Sequence, residues 1–263
     1  MGRFVIFTIL GHTGYIGQAL LPVLQRGYQV QTFPRQSDRV YREPLGHVIY
    51  AVGLTADFRQ HPYATVDAHI GYLRTLLERA QYQSFLYLSS TRVYLGADDT
   101  TELSPLVVRP HQADDLYALS KLTGEALCHA TKNPAVRIAR LSNVYGYGMH
   151  RHSLLGNLLV NRHLNPIHLD SHPQSAKDYI SLQDVIAILP QIAVRGQHTV
   201  YNVASGVNVT TQALLDSAGL HATWSEDAPL VTFPPISITR IQSEFTYHPC
   251  SVLDEWPRLV TAC

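Results

Sequence analysis

Seven residues constrain this chain more than any others: Gly11-His-Thr-Gly14-Tyr-Ile-Gly17. They follow an apolar run, Phe4 to Leu10, that reads as a buried strand, and they open a periodic stretch, Tyr15 to Gln25, that reads as a helix. Glycines at this spacing let the strand turn tightly into the helix, let the backbone approach a bound phosphate, and let the helix pack closely on its sheet. The helix start then offers free N–H groups and the positive end of its dipole to an anion. Three spaced glycines carry little information alone, but between a strand and a helix they are a dinucleotide-binding fingerprint.

The N-terminal half continues the alternation. Gln29 to Phe33, His47 to Val52, Phe85 to Ser89 and Val136 to Leu141 read as strands, and Ala68 to Ala80 and Leu116 to Thr131 as helices. That order predicts an α/β, Rossmann-type doubly wound parallel sheet. Beyond about Gly148 the elements become shorter and are broken by His, Pro, Asn and Ser, so a smaller C-terminal α/β substrate lobe is expected. The expected division is a dinucleotide-binding lobe over residues 1–149, with returning elements within about 182–204, and a substrate lobe over the rest of 150–263. Asp98, Asp99, Glu102, Asp114 and Asp115, between Leu95 and Asp115, read as a solvated acidic surface loop.

Composition removes several function classes. Twenty basic residues balance twenty acidic ones, which leaves no basic excess to neutralise nucleic-acid phosphates. At 46% hydrophobic the chain has ample core material, so disorder is not expected. The longest apolar runs, such as Phe4 to Leu10 and Val185 to Leu189, fall far short of the roughly 20 residues of a membrane span. A glycine turn follows the first of them where a signal peptide would have a cleavage site. Cys128, Cys250 and Cys263 are few, odd in number and widely spaced, which fits a reducing compartment and a cytoplasmic protein. His150, His152, His168 and His172 lack zinc-like spacing with Cys or carboxylate partners, so no metal is expected.

Two further groups carry chemistry. Tyr117 and Lys121 stand four residues apart, hence on one helix face. A lysine charge roughly 5 Å from a phenol, at an effective dielectric of about 20, is worth ~3 kcal/mol and lowers the phenol's pKa from about 10 by about two. That makes Tyr117 a candidate proton donor and acceptor. At the tip of the second strand, where an acid would grip an adenosine 2′-hydroxyl and an arginine would accept a 2′-phosphate, the sequence has Arg35 and no acid. That favours NADP over NAD.

Ordered along the chain, Gly11-x-x-Gly14-x-x-Gly17, Ser89-Ser90-Thr-Arg-Val-Tyr94, Tyr117-x-x-x-Lys121, Leu141-Ser-Asn143-Val-Tyr-Gly146, Lys177-Asp-Tyr-Ile-Ser-Leu-Gln-Asp184 and Tyr201-Asn-Val-Ala-Ser-Gly206 resemble the extended short-chain dehydrogenases/reductases. More narrowly they resemble the NAD(P)-dependent epimerase/dehydratase branch that acts on nucleotide sugars. The resemblance runs from the first strand to about Gly206. It implies that Tyr117 is the general acid/base, that Lys121 binds the nicotinamide ribose and tunes Tyr117, and that Ser90 hydrogen-bonds the reacting oxygen. It implies cofactor contacts from Gly11, Thr13, Gly14, Tyr15, Ile16, Gly17, Arg35 and Ala51, together with Tyr117 and Lys121. Substrate contacts are implied for Ser90, Thr91, Asn143 and Lys177, with Lys177 standing where the family commonly has Arg. Asp178 and Tyr179 are expected to hold the lobe together. A homodimer through the helix bearing Tyr117 is a further implication.

Departures from the family pattern choose among its reactions. Dehydratases of this kind carry an Asp-Glu pair directly after the Ser/Thr, whereas this chain has Thr91-Arg92, which argues against a dehydratase. A family asparagine is replaced by His69. The dozen residues from Arg35 to His47 are too few for the helix, third strand and connection that relatives place there, so the adenine pocket is expected to be altered or open. The sequence therefore favours an NADP-dependent reductase of a keto group on a nucleotide-linked sugar. An NDP-sugar epimerase with tightly bound NAD is the alternative, and reduction of a non-nucleotide ketone or a non-catalytic dinucleotide-binding or redox-sensing module stands behind it.

Overall fold

The apolar runs become parallel strands and the periodic stretches become the helices between them. A computed structural model describes residues 5–35, 37–55 and 58–262; Phe4, at the start of the first expected strand, and Cys263 lie outside these. In chain order the elements are β1 (Ile6–Leu10), α1 (Tyr15–Leu24), β2 (Gln29–Thr32), β3 (His47–Tyr50), α2 (Pro62–Val66), α3 (Tyr72–Arg79), β4 (Ser84–Ser90), α4 (Leu116–Ala130), β5 (Val136–Leu141), β6 (Asn143–Tyr145), α5 (Leu154–Asn161), β7 (Ile167–Leu169), β8 (Ala176–Ser181), α6 (Leu182–Arg195), β9 (Val200–Val203), β10 (Asn208–Thr210), α7 (Thr211–Ser217), β11 (Ala222–Trp224), α8 (Thr239–Glu244) and α9 (Val252–Ala262). A π-helical turn, Asp67–Gly71, joins α2 to α3. The helix expected from Ala68 thus starts earlier and carries a widened turn, a local distortion frequent at functional sites.

The main sheet runs β2-β1-β3-β4-β5-β9. The β2–β1, β1–β3 and β3–β4 pairs are parallel. The chain leaves β1 toward β2 and then crosses back to β3, so the strand order reverses at the C-terminal ends of β1 and β3, where open α/β sheets bind their ligands. Between β2 and β3 the described residues hold a short 3-10 turn, Asp38–Tyr41, and no strand. Val40 and Leu45 plug this shortened connection into the core, and β2 forms the edge of the sheet.

Two units divide the chain. The first comprises Met1–Val93, Val108–Arg140 and Val185–Tyr201; the second Tyr94–Val107, Leu141–Asp184 and Asn202–Cys263. Residues 141–149 thus join the second unit, because β6 pairs with β8, and residues 94–107 join it as well. In the first unit, Leu10, Val48, Tyr50, Phe85, Tyr87 and Ile138 from the strands pack with Leu73 and Leu76 of α3. Cys128 is buried in this core as a free thiol. In the second, β6, β8 and β10 form a three-stranded sheet and β7 pairs with β11. Its core gathers Tyr145, Leu158, Tyr179, Leu214 and Trp256, and the Trp256 indole donates to the Leu214 carbonyl at 3.1 Å.

The acidic loop differs from expectation. Asp98, Asp99 and Asp114 are exposed, but Glu102 and Asp115 are buried. Within the second unit Glu102 faces Arg240 at 3.4 Å, and within the first Asp115 takes two hydrogen bonds from Arg109, at 2.8 and 3.1 Å. Charge density in the sequence signalled solvent; the guanidinium partners, far away or on the loop itself, made burial of two carboxylates tolerable.

Helix α4 is anchored by a buried ion pair. Arg140 on β5 grips the Glu125 carboxylate at 2.6 Å, with both side chains at most 5% exposed, and Ser89 of β4 donates to the same carboxylate at 2.5 Å. Removing one partner strands the other charge. Glu125→Ala is expected to lower stability by roughly 3–5 kcal/mol. The double replacement Glu125→Leu/Arg140→Met is expected to recover most of that loss, and urea unfolding of the three proteins measures both.

Candidate active site

Gly11 has φ +86°, in the left-handed region, and a Cβ there would come within 2.6 Å of the Ala51 carbonyl oxygen. A Cβ on Gly17 would overlap the Gly11 carbonyl. The ends of β1 and β3 therefore close on each other only because Gly11 lacks a side chain, and α1 closes on the turn only because Gly17 does; the Ala51 N–H donates to the Leu10 carbonyl at 2.8 Å. Gly14 caps α1 in extended conformation with no side-chain cap, so first-turn N–H groups, near Tyr15 and Ile16, stay open to an anion. Thr13, exposed at the loop tip, accepts a hydrogen bond from Gln18 through its carbonyl at 2.7 Å. Gly11 to Gly17 and Ala51 thus come together as the sequence expects.

Arg35 stands past the end of β2, but not alone. Its guanidinium donates to the Asp67 carboxylate at 2.5 Å, and both side chains are largely exposed. With Gly71, Tyr72 and Thr75 the pair lines an open cavity of about 340 Å³. The sequence placed no acid at this tip; the fold delivers one from the π-helical turn.

Ser90, Tyr117 and Lys121 also converge. Tyr117 and Lys121 lie one turn apart on α4 and are about 5% exposed or less, while Ser90 ends β4. The hydroxyls of Thr55 and Ser90 hydrogen-bond the phenol. The backbone N–H of Arg92 donates to Ser90 Oγ at 3.2 Å and fixes its rotor. Lys121 Nζ donates to the Leu88 carbonyl at 2.9 Å and sits 5.1 Å from the Tyr87 ring and 5.9 Å from the Tyr117 ring.

The electrostatics differ from the expected lowering of Tyr117. Burial pushes the phenol above its ordinary value, outweighing the hydrogen bonds from Thr55 and Ser90 and the nearby Arg92 charge. Lys121 gives little help because burial pushes its own pKa down to about 7, against the opposing pull of Glu125. Desolvation acts on both members of the couple and disfavours charge on each.

His69 lies inside this machinery. It is fully buried in the π-helical turn, with its ring edge-on to Tyr117 at 5.4 Å. Its Nδ1 meets Ser120 Oγ at 2.8 Å, and Ser120 gives its single proton to the Tyr117 carbonyl at 2.9 Å. Nδ1 is therefore the donor and Nε2 a bare acceptor, which finds no partner among the described residues. Burial, with the Lys121 charge, holds the pKa at about 2, so the ring is neutral. A methyl built on Gly53 would lie 3.1 Å from Nε2 and 3.4 Å from Lys121 Nζ, so both nitrogens flank that glycine.

Thr91 is buried in the turn after β4. Asn143 and Lys177 belong to the second unit, on adjacent strands β6 and β8; Asn143 is exposed and donates to the Asp178 carbonyl at 2.8 Å. The Asp178 carboxylate accepts from the N–H groups of Ser205, Gly206 and Val207 and from the Ser205 hydroxyl, at 2.7–3.1 Å, which ties the 205–207 turn to β8. Sequence reasoning missed Thr55 and Phe58 altogether and used Arg92 only as an argument against dehydration. A lone arginine between Ser90-Thr91 and the buried pair Val93-Tyr94 was the available signal.

Comparison with known proteins agrees with this architecture. The model of the NAD dependent epimerase/dehydratase family matches residues 7–204. A Bacillus subtilis (strain 168) protein named as an uncharacterized UDP-glucose epimerase, YtcB, is 32% identical over 138 residues, 48% of this chain; the match covers only 40% of that relative. The solved structure of TunA, an NAD-dependent NDP-hexosamine 5,6-dehydratase involved in tunicamycin biosynthesis, superposes with a TM-score of 0.82 at 20% identity, over 97% of this chain and 96% of that one. RMD from Pseudomonas aeruginosa, complexed with NADPH, gives 0.76 at 21% identity over 97% of each chain. At these identities the superpositions establish the fold.

The chain has only three lysines, Lys121, Lys132 and Lys177, so Cε-labelled lysine yields a readable NMR titration. One signal is expected to titrate near 7 and to vanish in Lys121→Gln; no signal titrating there would contradict the site electrostatics. Because this folded value lies below the ordinary 10.5, the buried ammonium costs stability in full below about pH 7, and the cost fades as pH rises toward 10.5.

Proposed function

The chain belongs to the NAD dependent epimerase/dehydratase family, and on that premise we propose that it moves a hydride between a nicotinamide dinucleotide and a ring carbon of a nucleotide-linked sugar. The observation that carries this reading is the convergence of Ser90, Tyr117 and Lys121 at the end of the sheet where β1 and β3 part. When bound, the dinucleotide supplies the hydride acceptor or donor. Tyr117 takes or returns the proton of the reacting hydroxyl, Ser90 hydrogen-bonds that oxygen, and the Lys121 ammonium binds ribose hydroxyls. The open N–H groups of the Gly11–Gly17 turn suit the pyrophosphate. In the second unit, Asn143 and Lys177 are the proposed contacts of the sugar nucleotide.

The Arg35–Asp67 pair bears on the net reaction. An isolated arginine favours a 2′-phosphate and so NADP, which suits a one-way keto-sugar reductase. An acid 2.5 Å from that arginine opposes a phosphate and suits the free hydroxyl of NAD. NAD suits an enzyme that oxidises its substrate and then reduces it again on the other face, with no net redox change. We therefore favour epimerisation over net reduction, reversing the preference that Arg35 alone suggests.

Two measurements test this. Tyr117→Phe is expected to reduce turnover at least about a hundredfold with cofactor affinity retained, the usual scale for a lost general acid/base; undiminished activity would refute the mechanism. Calorimetry is expected to rank NAD above NADP in the native protein. Asp67→Ala is expected to strengthen NADP binding roughly tenfold by freeing the Arg35 fork for phosphate. Native protein that consumes NADPH stoichiometrically with a keto-sugar nucleotide would restore the reductase.

A further inference from the structure

Phe58 is 2% exposed and is shared by three groups of the first unit. The Tyr117 ring lies 5.5 Å from it, the Arg59 guanidinium 4.6 Å and the Arg92 guanidinium 5.5 Å. The two cations differ in what balances them. Arg59 donates to the Asp114 carboxylate at 2.5 Å. Arg92 is half-buried, its side chain forms no hydrogen bond or ion pair among the described residues, and the nearest balancing charges recorded for it, Asp114 and Asp115, are committed to Arg59 and Arg109. Burial and the neighbouring Arg59 both press against its charge, while Tyr117 and Arg92 feel each other's charge directly.

A half-buried guanidinium with no hydrogen-bond or ion-pair partner among the described residues keeps its N–H fork open to water or to an anion, and an anion suits a cation that burial already disfavours. The location restricts which anion. Arg92 follows Ser90 by two residues and holds its hydroxyl through the backbone N–H, and its guanidinium shares the Phe58 ring with Tyr117, so the fork lies near the groups proposed to handle the reacting carbinol. In a nucleotide sugar the diphosphate is fixed to the anomeric carbon, whose oxygen carries the phosphoryl group and cannot be oxidised to a ketone. For a reacting carbon on the far side of the ring from the diphosphate, a neighbouring anion is one carried by the sugar ring itself, and a carboxylate matches the planar fork in a bidentate way that a hydroxyl does not.

We infer that Arg92 receives a sugar carboxylate and that the substrate class is a nucleotide-linked hexuronic acid. The inference rests on the hydride-transfer reading and adds to it the chemistry beside the reacting carbon. Arg92 has a second effect in this arrangement: its charge favours the Tyr117 phenolate, and a bound carboxylate cancels part of that help, so proton transfer is coupled to how the sugar sits.

The test uses UDP-glucuronate and UDP-glucose as probes, titrated by calorimetry into the full chain with NAD present. The native protein is expected to bind UDP-glucuronate at least about tenfold more tightly. Arg92→Gln is expected to weaken UDP-glucuronate by about 10- to 100-fold, the scale of a hydrogen bond to a charged group, and UDP-glucose by less than about twofold. Arg92→Lys, which keeps the charge without the fork, is expected to fall between, and it separates a lost charge from a disturbed fold. Equal affinity in the native protein, or a glucuronate preference that survives Arg92→Gln, overturns the inference. If that occurs while Tyr117→Phe still abolishes turnover of UDP-glucose, the hydride-transfer proposal stands; failure to bind either sugar nucleotide overturns both.

Discussion

The Glu125–Arg140 pair is the contact on which the rest of the site depends. It ties α4 to β5 through a guanidinium and to β4 through the Ser89 hydroxyl, and it does so one helical turn below Lys121. A buried ion pair of this kind adds little net stability but enforces one geometry, because any slip leaves a charge without a partner. Tyr117, Lys121 and Glu125 occupy one face of α4, so fixing the lowest of them fixes the register of all three against β4. The Glu125 carboxylate also reaches upward electrically and raises the Lys121 pKa that burial has driven down. Anchor and candidate site are thus continuous along a single helix face.

The π-helical turn makes a comparable economy. The turn at Asp67–Gly71 sends the Asp67 carboxylate to Arg35 and packs His69 against Tyr117. Residues two apart on a helix do not face each other, and Asp67 and His69 accordingly serve two different places. A neutral His69 with its Nε2 lone pair unclaimed places an acceptor beside the Lys121 ammonium without adding a competing charge.

Much of this is legible in the sequence. Strand and helix periodicity located β1 to β5, α1 and α4 to within a residue or two, because these elements are either buried on both faces or amphipathic, and their hydrophobic spacing is strong. The link from Arg35 to His47 is too short for the helix and strand that the resembling family places there, and its length implies their loss. Groups brought in from elsewhere in the chain were not legible. Asp67 reaches Arg35 across 32 residues and Asp114 reaches Arg59 across 55, and neither separation leaves a local pattern. The Tyr117 shift was misjudged in sign because pairwise Coulomb reasoning took Lys121 as a full charge in a screened medium, whereas both groups are desolvated.

With no strand after β2 among the described residues before β3, β2 borders the sheet and, among those residues, has a neighbour strand on one side alone. Such a margin is a template for another extended segment and a hazard for association between chains. Here the hazard is small for reasons visible in the element itself: β2 is four residues long, begins with an exposed Gln29, and holds two Gln and a Thr beside a single Val. The shortened connection after β2 thus leaves at the margin of the sheet a strand that is short and polar, a poor template for a neighbour.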